Sequence, residues 1–434
     1  MKILIIDRDG SALDFAMRAM AHGHQVKMFV SKYDDGTPNC VGTGFVERIK
    51  DWMPWMRWAD MTMLTDNTKY LHMLEPFRKL GYPIVGGNPV SAELELDRQK
   101  GQQVFQKSGI EILPCKTFTD YDTAEAYVRR TQERYVSKPS DDADKALSYV
   151  AKSPRDMIFM LRRWKKLRKL KTPFILQLFM PGVEMAVGGW FGPNGFSKMF
   201  CENWEFKKLM NDDLGVATGE QGTILRYTST SKLAEKVLKP CAEALHKTGY
   251  VGYVDVNCIV SEAGTPFPLE WTMRFGWPTF HIQQALHRGD PATFLADLCD
   301  GRDTFEPGTD IAAGVVVSMP DYPYSKITKK EVTGVPIYDV TDRNRDHLHF
   351  AEVMQGSAPD DKGVDQLTPV SCGDYLLVAT GTGLRVGSAV RAAYKTVNSL
   401  EVPNSIMYRT DIGQRLKKQL PLLHKAGFAT GVEF

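Results

Sequence analysis

Gly249-Tyr250-Val251-Gly252-Tyr253-Val254-Asp255-Val256-Asn257-Cys258, followed by Pro268-Leu269-Glu270-Trp271-Thr272-Met273-Arg274-Phe275-Gly276, decides how this chain folds. Both stretches are rich in β-branched and aromatic residues, which predicts strands, and the polar turn at 261–265 joins them as neighbours. That pairing brings Asp255 near Glu270. Each carboxylate sits in an otherwise apolar strand, where alone it would lose hydration worth several kcal/mol. A shared divalent cation removes that cost and holds nucleotide phosphates at the same time. Arg274, shortly past Glu270, is placed to meet an anion. The plainer reading, acids capping strand ends in water, explains each residue singly but not the constellation.

Working outward, Phe174-Ile175-Leu176-Gln177-Leu178-Phe179-Met180-Pro181-Gly182-Val183-Glu184 is an apolar strand that breaks into a Pro-Gly turn carrying one acid. Such a linker can stack an adenine between apolar side chains such as Phe179 and Met180. It can also bond the base edge through backbone groups and hold ribose hydroxyls with Glu184. An ordinary core strand is the competing reading. Lys138, in Val136-Ser137-Lys138-Pro139, ends another apolar strand as a solvated cation or as a phosphate contact.

The chain opens on the apolar run 2–7, too short and acidic too early for a secretory leader, which predicts a buried first strand and a cytoplasmic protein. Asp9-Gly10-Ser11 then turns into an amphipathic stretch, 13–22, before a second strand at 26–30: the opening of a doubly wound α/β sheet. One helix is expected from Ser91 to about Lys107. The elements group into an N-terminal α/β domain (1–115), a small lobe (116–190), a central sheet domain (191–310) and a C-terminal α/β domain (311–434).

Composition excludes several classes. With 54 Lys+Arg against 52 Asp+Glu there is no global pull toward nucleic acid, and no apolar run nears the roughly 20 residues of a membrane span. The cysteines are scattered with no CxxC pair, which argues against a thiolate metal site or a disulfide framework. The run Leu161-Arg162-Arg163-Trp164-Lys165-Lys166-Leu167-Arg168-Lys169-Leu170-Lys171 is foremost a solvated helix face. Its place beside the small lobe also permits contact with a nucleotide or nucleic-acid acceptor.

In their order along the chain these segments resemble the ATP-grasp superfamily and, within it, the glycinamide ribonucleotide synthetases. The likeness runs from the 1–6 strand to Arg409-Thr410-Asp411-Ile412-Gly413, and also takes in 314–317 and Arg391-Ala392-Ala393-Tyr394. The resemblance implies an ATP-grasp fold, ATP with Mg²⁺ (or Mn²⁺), small amino-acid and amine substrates, no membrane, and a monomer or dimer. By position it implies that Lys138 and Arg98 touch ATP phosphates, with Lys145 in the lid over them. Gln177 falls at the adenine edge, with Phe179 and Met180 beside it, and Glu184 at the ribose. Glu270, Asp255 and Thr272 are the implied metal ligands, and Arg274 and Lys207 the catalytic cations. Gly10, Ser11, Thr218, Gly219, Glu220 and Gly222 are implied to bind substrate.

The departures carry information of their own. The lid Ser140-Asp141-Asp142-Ala143-Asp144-Lys145-Ala146 has no glycine, so backbone amides approach phosphate less closely there. The family's Asn, its Asp-Pro-Glu and its glycine-rich loop after strand one are here Thr272, Trp277-Pro278-Thr279 and Asp7-Arg8-Asp9-Gly10-Ser11. Nucleotide and metal positions are partly kept, while those for phosphoribosylamine and glycine have changed. The expected activity is an ATP-dependent carboxylate–amine ligase making an amide through an acyl-phosphate. Its altered acceptor could be a nucleotide-like or modified-base amine joined to an amino acid. An authentic phosphoribosylamine–glycine ligase and a degenerate, non-catalytic nucleotide-binding protein are the alternatives.

Overall fold

A computed structural model describes residues 1–139, 148–167, 173–324, 332–403 and 405–434. The chain begins with a parallel sheet. β1 (Lys2–Asp7), β2 (Gln25–Val30), β3 (Glu47–Ile49), β4 (Met61–Leu64) and β5 (Ile84–Val85) pair in the order β3-β2-β1-β4-β5. Helices α1 (Leu13–Ala21) and α2 (Leu71–Lys79) connect them. β1 is buried from Ile3 onward because both faces of a parallel sheet are covered, hence its unbroken apolar run.

The single helix expected over 91–107 is two. α3 (Pro89–Leu96) stops at Asp97, whose backbone is extended (φ −99°, ψ 93°), and α4 (Arg98–Lys107) starts there. The Asp97 carboxylate accepts the amides of Gln99 and Lys100 at 3.0 and 3.1 Å, capping the new helix. The break lets α4 pack on the central sheet: Phe105 stacks on Trp271 with ring centroids 4.4 Å apart. It also starts α4 with Arg98 at the site.

The small lobe is an antiparallel sheet with its own core. β6 (Cys115–Phe118), β7 (Tyr135–Pro139), β8 (Tyr149–Val150) and β9 (Phe174–Leu178) are ordered β6-β9-β7-β8, and α5 (Tyr121–Thr131) and α6 (Pro154–Lys166) join that core. Alternation divides β9. Phe174 and Leu176 enter the core with Tyr121 and Trp164, leaving Ile175 and Gln177 on the other face with Lys138, which pairs across to Ile175.

The remainder is built on one eight-stranded sheet, ordered β16-β15-β10-β11-β14-β17-β21-β18. Its strands are β10 (Gly182–Gly192), β11 (Gly195–Glu205), β14 (Gly222–Thr228), β15 (Gly252–Ser261), β16 (Pro266–Thr272), β17 (Ile311–Ser318), β18 (Leu348–Phe350) and β21 (Tyr375–Gly383). Two hairpins flank it, β12 (Lys208–Met210) with β13 (Leu214–Ala217) and β19 (Val353–Pro359) with β20 (Asp365–Ser371). The accompanying helices are α7 (Ala242–Thr248), α8 (Thr279–Gln284), α9 (Thr293–Cys299), α10 (Val386–Val397) and α11 (Leu416–Lys425). A division at residue 190 would cut β10, and one at 310 separates strands that hydrogen-bond within the same sheet. Among the described residues no helix is long and apolar enough to cross a membrane.

Candidate nucleotide and metal site

The strand register brings the predicted acids to one face but not opposite each other. Asp255 pairs with Thr272, and Asn257 with Glu270. Glu184, Ala186 and Gly188 of β10 stand opposite Ile259, Asn257 and Asp255, and on the far side Ala186 pairs with Asn203 of β11. Because side chains alternate along a strand, Glu184, Asn203, Glu205, Asp255, Asn257, Glu270 and Thr272 share this face. Gly188 is required here: a Cβ on it would lie 2.6 Å from Asp255 Oδ2 and 2.1 Å from the Tyr253 hydroxyl.

Around Glu270 the structure gathers cations from separate parts of the chain. Arg98 donates to it at 2.7 Å from the start of α4, and Lys207 at 3.3 Å from the end of β11. Lys207 also lies 2.9 Å from Glu205 and 3.4 Å from Glu184. Burial opposes ionisation of Glu270, but Lys207, Arg98 and Lys138 together hold its carboxyl well below the usual range. Burial likewise opposes the charge on Lys207, and Glu205, Glu184 and Glu270 overcome it and hold the ammonium firmly charged. Lys138 is buried and pushed down to about 8, chiefly by desolvation; Glu270 opposes that shift, while Arg98 and Lys207 add to it. These neighbours show that the Gln177–Lys138 face of the small lobe looks onto the central sheet.

Asp255 has a different environment. Asn203 donates to it at 2.8 Å and Tyr253 at 3.1 Å. Burial and the nearby Glu205 nevertheless raise its carboxyl to about 7. Among the described residues no group of three or more His, Cys, Asp or Glu side chains is placed to hold a metal alone. The donors present do suit Mg²⁺. Asp255 and Glu270 supply carboxylates and Thr272 a hydroxyl, and the buried Asn257 Oδ1 has no hydrogen-bond partner. Mg²⁺ is commonly held by one or two carboxylates with substrate phosphates completing the shell.

The other predicted positions fare unevenly. Gln177 is buried with its Nε2 unpartnered, as a group awaiting an acceptor would be. The Phe179 ring already carries the Arg134 guanidinium 3.4 Å from its centroid, so that face is taken. Met180 is half-buried, and Glu184 turns to Lys207. Lys145 and the rest of 140–146 lie outside the described residues. Arg274 does not join the Glu270 cluster. It pairs with Glu95 at 3.1 Å and donates to the Phe275 carbonyl, and Glu95 also accepts the Met273 amide and the Asn67 side chain. Arg274 is thus a residue that ties β16 to α3, already neutralised by an acid.

Thr218 straps the loop after β11, its amide and hydroxyl both donating to the Lys207 carbonyl at 2.8 and 2.9 Å. Gly222 serves close backbone approach, since a Cβ there would meet the Gly314 carbonyl at 2.4 Å, whereas Gly219 borders open space. Glu220 is buried. Its Oε2 accepts from Thr279 at 3.4 Å and its Oε1 has no partner. Burial first, then Glu205, raise its carboxyl well above the usual range and favour the neutral form. At Gly10 and Ser11 part of the backbone is already engaged: the Gly10 amide is bonded to Asp7 at 2.9 Å, and the Ser11 carbonyl accepts from His281 at 2.9 Å. The described part of the basic run is a surface helix face, Arg162 paired with Glu125 and Lys165 with Asp122, while Trp164 is buried. Residues 168–171 lie outside the described residues, and no finding supports a nucleic-acid acceptor.

Sequence reasoning missed Asn203, Glu205, Asn257 and Glu95. In β11 the run Glu202-Asn203-Trp204-Glu205 hides the signal: Glu202 turns to the opposite face, where Arg226 and Ser231 hold it. Alternation from Asn203 to Glu205 was the available clue.

The Glu220 environment yields a stability prediction. Its folded value lies above its unfolded one, so the folded state retains a proton that the unfolded state loses, and stability falls as pH rises from about 4.5. Glu220→Gln should remove that slope and raise the melting temperature of the ligand-free protein at pH 8 by about 2 °C. A variant with the wild-type slope in thermal scans from pH 5 to 8 would contradict it.

Residues 97–279 match the family profile of the phosphoribosylglycinamide synthetase ATP-grasp (A) domain. The phosphoribosylamine–glycine ligase of Ralstonia nicotianae is 24% identical over 356 residues, covering 79% of this chain and 81% of that protein. That of Streptococcus pneumoniae is 22% identical over 436 residues, covering 96% and 100%. The crystal structure of the Thermotoga maritima phosphoribosylamine–glycine ligase superposes with a TM-score of 0.73 at 17% identity, over 95% of this chain and all of that one. The family match and the fold therefore mark an ATP-grasp protein, of the carboxylate–amine ligase type. Among these proteins the chain is related to the phosphoribosylamine–glycine ligases. The ATP-grasp family binds ATP with Mg²⁺.

Proposed function

We propose that the protein is an ATP- and Mg²⁺-dependent ligase that joins the carboxylate of a small molecule, such as an amino acid, to an amine other than phosphoribosylamine. The supporting observation is the gathering of Lys138, Arg98 and Lys207 around Glu270, one register step from Asp255. Lys138 and Arg98 draw the triphosphate between the lobe and the sheet, with the unpartnered Gln177 amide at the base edge. The substrate carboxylate attacks the γ-phosphate, giving an acyl-phosphate and ADP; the amine then displaces phosphate and gives up a proton. Asp255 and Glu270 would hold Mg²⁺, which would supply charge neutralisation for the phosphates. The residues' own part is alignment and electrostatic stabilisation, with no nucleophilic side chain.

ADP release from the intact protein, with an amino-acid panel crossed against an amine panel, tests the reading. Turnover requiring one carboxylate and one amine is expected; turnover limited to glycine with phosphoribosylamine would instead favour the authentic enzyme. The glycine-free 140–146 segment supports the non-catalytic reading. That reading wins if ATP and Mg²⁺ shift the melting temperature while every substrate pair is silent.

The titrations set a pH profile. Asp255 must be ionised to hold a cation, so kcat/KM should rise with pH to about 7. Lys138 must be protonated to hold phosphate, so it should fall again above about 8. Asp255→Asn should abolish the acid limb of Mg²⁺-dependent nucleotide binding measured by calorimetry; an unchanged limb would remove Asp255 from the metal site.

A further inference from the structure

The turn from a first parallel strand into the first helix gathers backbone amides that commonly cradle a phosphate. In this protein that cradle is filled from within. The Asp7 carboxylate accepts the amides of Asp9 at 3.1 Å, Gly10 at 2.9 Å and Ala12 at 2.8 Å, and the Thr65 hydroxyl at 2.9 Å. The residue is 1% exposed, so this carboxyl group is part of the fold and not a surface group. The room a ligand would use is closed as well: a Cβ on Gly10 would lie 2.6 Å from Val41.

The surroundings agree. Asp9 and Asp66 stand at the rim, and Arg8 is engaged by Thr68 at 3.2 Å with Asp9 at 3.8 Å. The same turn is linked to Glu220 through the segment that carries α8. The Ser11 carbonyl accepts from His281 of α8, Trp277 donates to the Thr65 carbonyl at 3.4 Å, and Thr279 at the start of α8 donates to Glu220. A substrate phosphate arriving here would find three of the turn's amides already given to a buried carboxyl group.

Resting on the ligase reading above, the geometry points to an acceptor amine that carries no phosphate at this turn, with Asp7 as the residue that sets that specificity. Nuclear magnetic resonance on the full chain labelled with ¹⁵N-glycine provides the test, with the Gly10 amide as reporter. Titration with inorganic phosphate or ribose 5-phosphate to about 20 mM, well beyond a millimolar site, should leave the Gly10 resonance in place. In Asp7→Ala the same titration should shift it saturably. Either a saturable shift in the wild type or none in folded Asp7→Ala overturns the inference, and the wild-type titration decides if the variant does not fold. In the ADP-release assay, amines with and without a phosphate monoester are compared in matched pairs. The unphosphorylated member should be preferred at least about tenfold in kcat/KM, and the reverse preference would also overturn the inference. Silence with every amine would remove the ligase reading while leaving the Gly10 result intact.

Discussion

Glu270→Gln should lower amine-dependent ADP release by about a hundredfold to a thousandfold at saturating Mg²⁺. The substitution keeps the side-chain shape and removes one negative charge. Two roles disappear together: the carboxylate that aligns Arg98 and Lys207, and an oxygen anion for the metal. The loss should appear in the binding of Mg²⁺–ATP as well as in kcat. Metal-free ATP behaves oppositely, because Lys138, Arg98 and Lys207 would then face the triphosphate with one less competing anion, so its affinity should hold or rise. That divergence separates an electrostatic role from general damage to the fold. Full turnover in Glu270→Gln would sink the assignment of this acid to the metal.

Lys207→Met should be the most destabilising substitution in the site. Lys207 is the common partner of Glu184, Glu205 and Glu270, whose side chains are 35, 15 and 32% exposed. Removing the cation leaves these acids repelling one another. Breaking a fully buried pair costs about 3–5 kcal/mol, and partial exposure reduces this to roughly 1–3 kcal/mol. The pH dependence identifies the cause. In the wild type the Glu270 carboxyl is depressed, so its contribution is present above the unfolded value of 4.5 and is lost as pH falls through the folded one. In Lys207→Met that contribution shrinks, so the stability gap should be largest above about pH 5 and should close in acid as Glu270 protonates. Denaturant unfolding at pH 4 and pH 8 gives the comparison. A gap equal at both would mean that Lys207 acts through packing of its aliphatic stem instead.

What could be read directly from the chain was chemistry out of place. Asp255 and Glu270 inside apolar strands, and Lys138 at the end of one, stand out because an ionisable group there needs a partner. What could not be read was the partner's identity. Glu205 and Asn203 come from β11, separated from β15 in the sheet by β10, and that order is not the order of the sequence. Asp97 looked like one more residue of a continuous helix, yet a side chain that caps is also one that can end the preceding turn. Arg274 looked ready for an anion, and it was; the anion is Glu95, from a helix with no motif to mark it.

The sequence by itself determined the alternation of strands and helices and the acids and cations buried within them, because hydrophobic period and misplaced charge are local properties; the relation to ATP-grasp proteins rested on the likeness of particular segments. Only the tertiary structure decided which charge meets which. Register put Thr272 across from Asp255, sheet order delivered Lys207 to Glu270, and the turn after β1 folded its amides onto Asp7. Electrostatic pairing acts through space over a few ångströms, and residues that far apart along the chain become neighbours only once the backbone has been placed.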